Sequence, residues 1–215
     1  MANNTTLSGL YPFLNDNKKD TNTELLLHSI REKVDDSIKA KQTFFQNNEH
    51  KILQTAQIIA QCYQQNGHLF AMGNGGSSCD AAHITTEFMH PVTTGRKALG
   101  FTNLTADIAT MTAVANDVGN EHIFLRQLLC LAKQGDVLIG FSTSGNSKSL
   151  IQGFVQAKEM GLSTIGFSGQ TGGEMAKCNS VDICLTVQTD SIHRIQESHL
   201  TTYHILWDLV HSLLP

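Results

Sequence analysis

Three short apolar runs, each ending in a glycine- or serine-rich loop, constrain this chain more than any other feature. Residues 68–72 (HLFAM) run into Gly73-Asn74-Gly75-Gly76-Ser77. Residues 136–141 (DVLIGF) run into Ser142-Thr143-Ser144-Gly145-Asn146-Ser147, and residues 163–167 (STIGF) into Ser168-Gly169-Gln170-Thr171-Gly172-Gly173. Apolar runs this short, bounded by turn residues, read as buried strands. Residues 182–187 (DICLTV) are a further strand candidate and 99–101 a short one. Helical patterns over 78–90, 108–115, 120–132 and 150–160 lie between them. Strands alternating with helices imply βαβ units and a parallel sheet covered on both faces, so the expected fold class is α/β.

The flanks complete the layout. Residues 1–22 are rich in Asn, Thr and Asp without a period and read as a flexible extension. Residues 23–215 then form one domain, as the length of 215 favours. Leu27, Ile30, Val34 and Ile38 recur at helical steps, so a helix starts at Thr23, and its apolar face needs a partner, a second subunit being one option. A second helix is expected from Glu49 to Asn66, capped by Gly67. The last stretch, 192–214, reads as one long helix with Ile195, Tyr203, Leu206, Leu209 and Leu213 as its apolar stripe.

Composition excludes several classes. A net charge of −4 argues against nucleic-acid binding. There is no apolar run of ~18 residues for a membrane span. The N-terminus lacks the basic start and apolar run of a signal peptide, so a cytoplasmic protein is expected. Five cysteines without a CxxC are expected to be reduced and mostly buried.

The loops carry the first chemistry. Gly73, Gly75 and Gly76 let the backbone turn sharply and approach a ligand, and Ser77 and Ser78 can cap the helix that follows. A helix N-terminus offers free N–H groups to a phosphate. The second loop supplies four hydroxyls, from Ser142, Thr143, Ser144 and Ser147, enough to surround a phosphate without Lys or Arg. The first loop is not a Walker A motif, since no Gly-Lys-Ser/Thr follows, and is a poor dinucleotide fingerprint. Either one alone reads equally well as an ordinary strand-to-helix turn; two on one sheet are harder to dismiss.

Two helices carry the second. His83 and Glu87, four residues apart, share a helix face, a spacing that suits a metal or an acid–base pair. Gln196 and His204 on the last helix are eight residues apart, about 80° of rotation, so both can face one cleft. Glu197 and His199 lie on other faces, and His211 reads as a surface residue. Taken singly, the His83–Glu87 pair reads as a solvated surface pair and His204 as a core histidine.

Taken together, Gly73-Asn-Gly-Gly-Ser77, His83-x-x-x-Glu87, Asn116-Asp117, Ser142-Thr-Ser-Gly-Asn-Ser147 and Arg194-Ile-Gln-Glu197 with His204 resemble, in order and spacing, the phosphoheptose isomerases of the sugar isomerase (SIS) domain superfamily. The resemblance spans roughly residues 30–214. It implies a three-layer sandwich, a five-stranded parallel sheet flanked by helices, with N-terminal helices packing in a homotetramer whose active sites lie between subunits. It implies isomerisation of D-sedoheptulose 7-phosphate to D-glycero-D-manno-heptose 7-phosphate, toward the heptose of the lipopolysaccharide core. By position, Ser77, Ser142, Thr143, Ser144 and Ser147 would hold the phosphate. Asn74, Gly75, Gly76, Asn116 and Asp117 would line the sugar, with Gln196 also at the substrate. Glu87 and His204 would be the catalytic acid–base pair, and His83, Glu87, Gln196 and His204 the ligands of a zinc ion, one per subunit. Partners beyond the phosphosugar and further copies of the chain, such as nucleic acid or a membrane, are not expected.

Two segments depart from the family. Residues 88–97 (FMHPVTTGRK) differ from its usual Arg/Tyr-containing stretch, which leaves another phosphosugar open as substrate. His193 stands where these isomerases often carry Asp. A different class also remains: a non-catalytic SIS-domain tetramer that binds a replication initiator has similar loops but lacks the counterparts of Glu87 and His204.

Overall fold

A computed structural model describes residues 22–215, so the extension expected at 1–22 lies outside the described residues except for Asn22. Asn22 begins the structure as a cap, its Oδ1 accepting the Glu24 N–H at 2.9 Å. The described residues divide into two units, 22–36 and 37–215. The first is helical and exposes Leu25, Leu26, Leu27, Ile30 and Val34.

Helix α1 spans Thr23–Gln64 without a break. The sequence suggested two helices here, and the structure corrects that. No Gly or Pro interrupts residues 39–48, and Phe44, Asn48, Ile52 and Ala56 continue one buried stripe at four-residue steps. The terminator is also different: Asn66, not Gly67, adopts the left-handed conformation at φ 58°. The Gly67 N–H then reaches the Cys62 carbonyl at 2.8 Å and the Asn66 N–H reaches that of Tyr63 at 3.1 Å, closing a Schellman motif.

The remaining elements alternate as expected: β1 (Leu69–Gly73), α2 (Gly76–Met89), β2 (Phe101–Asn103), α3 (Ile108–Asp117), α4 (Leu125–Leu131), β3 (Val137–Ser142), α5 (Lys148–Glu159), β4 (Ser163–Gly169), β5 (Ile183–Val187) and α6 (Ile192–Leu213). The helix expected over 120–132 is instead a 3₁₀ turn at Asn120–His122 followed by α4. The five strands are all parallel, in the order β2-β1-β3-β4-β5.

Strand residues alternate between two cores, one on each face of the sheet. Leu69, Ala71, Val137, Ile139 and Phe141 pack with Ile59 of α1, Ile84 and Phe88 of α2, and Ile195 and Leu206 of α6. Phe70, Met72 and Leu138 pack on the other face with Leu128 of α4 and Leu150 and Phe154 of α5. The buried Asp136 carboxylate ties the strand starts together, accepting the His68 and Lys133 backbone N–H groups at 2.8 Å each.

This layering decides where a ligand can sit. The helix after β1 covers one face and the helix after β3 covers the other, although β1 and β3 are neighbours. A crevice therefore opens beyond their carboxyl ends, the usual ligand position in an open parallel sheet. Both glycine/serine loops flank it. Among the described residues, no helix is long and apolar enough to cross a membrane.

Candidate active site

The first loop is built by backbone, not by serine caps. Gly75, at φ 56°, is the N-cap of α2 and makes no side-chain cap bond. Contrary to the sequence expectation, Ser78 Oγ donates back to the Gly75 carbonyl at 2.6 Å, while Ser77 is buried with its N–H on the Asn74 carbonyl at 3.1 Å. The Asn74 amide donates to Ser149 Oγ at 2.9 Å, which joins the first loop to α5 across the crevice.

In the second loop the hydroxyls fix the turn. Ser142 Oγ accepts the Gly145 N–H at 3.1 Å and lies 3.2 Å from Ser147 Oγ. Ser144 Oγ accepts the Asn146 N–H at 3.2 Å, and Thr143 is half-buried beside it. Ser147 is the N-cap of α5, yet its hydroxyl makes no cap bond to that helix. Gly145 cannot be replaced cheaply: φ is +67°, and an added Cβ would lie 2.0 Å from the Gly172 carbonyl oxygen. The Met175 N–H also donates to the Gly145 carbonyl at 2.9 Å. The third glycine-rich loop thus buttresses the second.

Beside the first loop, α2 and α6 pack together and bring three donors to one place. His83 Nε2 is 3.1 Å from Glu87 Oε1, and His204 Nε2 is 3.5 Å from His83 Nε2. The donor atoms of His83, Glu87 and His204 all lie within 4.8 Å of one another, a set that could hold a metal ion. Glu87 and His83 are half-buried and His204 is exposed. Trp207 Nε1 donates to the Glu87 carbonyl at 2.9 Å and anchors the end of α2. Gln196, two turns before His204, lies over the start of α2: a Cβ on Gly76 would sit 2.4 Å from Gln196 Nε2, so glycine there makes room for it.

Not every expected residue joins this cluster. Asn116 and Asp117 are exposed at the end of α3, where the Asn116 amide donates to Asp117 Oδ1 at 2.7 Å. His193 is exposed. His211, read from sequence as a surface residue, is buried, with its ring nitrogens 2.8 Å from the Trp207 carbonyl and 3.1 Å from that of Lys97. Its helix face turns inward because Phe88 and Trp207 pack around the ring. The cysteines also differ from expectation: all five are free, but only Cys62 is buried.

Sequence reasoning missed two residues beneath the cluster. Tyr203 Oη lies 3.0 Å from His83 Nδ1. Asp80, one turn before His83, is buried, and its Oδ2 has no hydrogen-bond partner. Burial pushes the Asp80 carboxyl up to about 7. Burial, and then the Asp80 charge, raise the Tyr203 phenol. The i, i+3 spacing of Asp80 and His83 was visible in the sequence, but the loss of solvent was not.

Known proteins resemble this chain in sequence and fold. The SIS domain family matches residues 34–169. The phosphoheptose isomerase of Sulfurimonas denitrificans is 39% identical over 183 residues, covering 84% of this chain and 93% of its own length. That of Thermodesulfovibrio yellowstonii is 38% identical over 185 residues, covering 86% and 91%.

The chain belongs to the phosphoheptose isomerase family of SIS-domain proteins.

Solved structures of the family agree with the fold. The phosphoheptose isomerase of Neisseria gonorrhoeae superposes with a TM-score of 0.81 at 33% identity, covering 87% of this chain and 99% of that one. The one from Francisella tularensis gives 0.83 at 32% identity, covering 86% and 98%.

Proposed function

We propose that this chain is an aldose–ketose isomerase that converts D-sedoheptulose 7-phosphate to D-glycero-D-manno-heptose 7-phosphate through an enediol. The observation that carries this reading is the Glu87–His83–His204 cluster beside two loops that flank one crevice. Such an isomerisation moves one proton between C1 and C2 and another between the two oxygens. Glu87 takes the carbon-bound proton, and His204 serves the oxygens. The phosphate is held by the hydroxyls of Ser77, Ser142, Thr143, Ser144 and Ser147 and by the N-terminus of α5, so the anion needs no basic patch and the chain's net charge of −4 is no obstacle. Asn74, Gly75, Gly76, Asn116, Asp117 and Gln196 contact the sugar.

The donor set of two imidazoles and a carboxylate also suits a divalent ion such as zinc, with Gln196 as a fourth ligand; an atom of Glu87 or His204 given to the ion is not at the same time an acid or base. When bound, the ion polarises the carbonyl and its neighbouring hydroxyl. The chain works as a homotetramer, supported by the apolar residues exposed along the start of α1.

Incubation of the purified protein with sedoheptulose 7-phosphate, with products followed by NMR, tests the reading. Conversion to the aldose supports it. Turnover of a different ketose phosphate alone reassigns the substrate, and turnover of none refutes the enzyme.

A further inference from the structure

The groups beneath the catalytic cluster have no part in the chemistry above, yet they are costly to keep. Tyr203 is 1% exposed and Asp80 6%. A buried carboxylate oxygen without a donor costs free energy, and a purely structural core would fill the place with an apolar side chain. Asp80, His83 and Glu87 follow one another at i, i+3 and i+7, so they share the face of α2 that meets α6. Tyr203 comes from α6 to the same place, its ring edge-on to His83 with centroids 5.3 Å apart. Asp80 is the foremost charged influence on the Tyr203 phenol.

The hydrogen-bond inventory defines what this arrangement can do. A neutral imidazole carries one proton, on one nitrogen or the other. In the neutral tautomer that carries its proton on Nε2, His83 donates to Glu87 Oε1 at 3.1 Å and Nδ1 accepts the Tyr203 hydroxyl at 3.0 Å. When the Nε2 lone pair is given to a cation, the proton moves to Nδ1. Tyr203 Oη then becomes the acceptor, and its own hydrogen must find another partner inside the protein. Asp80 Oδ2 is buried, unpartnered and on the same helix face.

We propose that Tyr203 is a positioning residue for His83: its hydroxyl holds the ring through Nδ1 in either tautomer, and Asp80 Oδ2 receives the hydroxyl hydrogen when Nε2 binds a divalent cation. A chain Asp80–Tyr203–His83 then aims the ligand from behind, as outer groups commonly do for metal-bound histidine. The inference rests on the reading of His83 as a ligand, but not on the identity of the sugar.

The experiment measures Zn(II) affinity of the full-length protein by competition with a chromophoric chelator, together with the visible absorption spectrum of the Co(II) form. Tyr203→Phe removes one oxygen and keeps the ring that packs in the core. It is expected to weaken Zn(II) binding by about 10- to 100-fold and to change the Co(II) bands, because the imidazole loses its anchor. Asp80→Asn is expected to weaken Zn(II) binding less. In the Tyr203→Phe background it should have no further effect, because the hydroxyl that links the two is gone. Wild-type affinity and an unchanged Co(II) spectrum in Tyr203→Phe would overturn the proposal, as would absence of Zn(II) binding to the wild type. Additive effects of the two substitutions would overturn the role of Asp80. None of these readouts uses turnover, so failure of the isomerase assay and failure of this proposal are distinguishable.

Discussion

Lowering the pH should remove the stability contributed by one histidine that takes no part in the chemistry. His199 is wholly buried on α6, between the rings of Phe141 and Phe167, with Nε2 3.1 Å from the Ser168 carbonyl and Nδ1 unpartnered. Burial lowers its pKa from 6.5 to about 4. The ring is therefore neutral in the folded state over a range in which the unfolded chain binds a proton. Its contribution to stability is fully present above 6.5 and is lost as the pH falls toward 4. At ~1.4 kcal/mol per pH unit, the loss between about pH 7.5 and about pH 4.5 is about 2.5 kcal/mol. Asp80 acts in the opposite sense. Its pKa is raised from 3.8 to about 7, so its contribution is present at low pH and lost as pH rises through 7. The wild-type curve alone would show the two largely offsetting one another. The informative quantity is the difference between wild type and His199→Gln, whose amide can still donate to the Ser168 carbonyl. Urea unfolding followed by circular dichroism, at fixed protein concentration and with a chelator present, supplies it at each pH. The advantage of the wild type should shrink by about 2.5 kcal/mol between the two pH values. A difference that does not change with pH would refute the account of His199 as a neutral core imidazole.

Two further predictions concern the site. Glu87→Gln should reduce turnover by about 10²- to 10⁴-fold while leaving the circular dichroism spectrum and oligomeric state unchanged, and full activity would sink the acid–base assignment. Gly145→Ala should cost at least ~2 kcal/mol in denaturant unfolding, because it joins a strained positive φ to a collision with the Gly172 carbonyl, and should raise KM for the phosphosugar. Wild-type stability and KM together would show that the second and third loops are not interlocked.

Much of the architecture was legible because period and punctuation are local. The strands that end at Gly73, Ser142 and Gly169 are short buried runs bounded by turn residues, and the structure extends them by only a residue or two. Local signals failed where tertiary packing overrides them. Residues 39–48 looked like a joint between two helices, but one buried stripe through Phe44 and Ile52 keeps α1 whole. Ser77 and Ser78 looked like caps, but the backbone of Gly75 takes that position, so the hydroxyls point elsewhere. His211 sits at the end of a helix, where a histidine usually meets solvent, yet Phe88 and Trp207 enclose it.

The sequence by itself determined the alternation of elements, the two hydroxyl-rich loops and the shared helix face of His83 and Glu87, since each depends on residues close together in the chain. Only the tertiary structure decided that β1 and β3 are neighbours whose helices leave to opposite faces, which opens the crevice between the loops. Only it placed His204 3.5 Å from His83 and set Tyr203 and Asp80 beneath them. These relations join residues about 120 positions apart, and burial, which sets the pKa of Asp80, is a property of everything packed around a side chain.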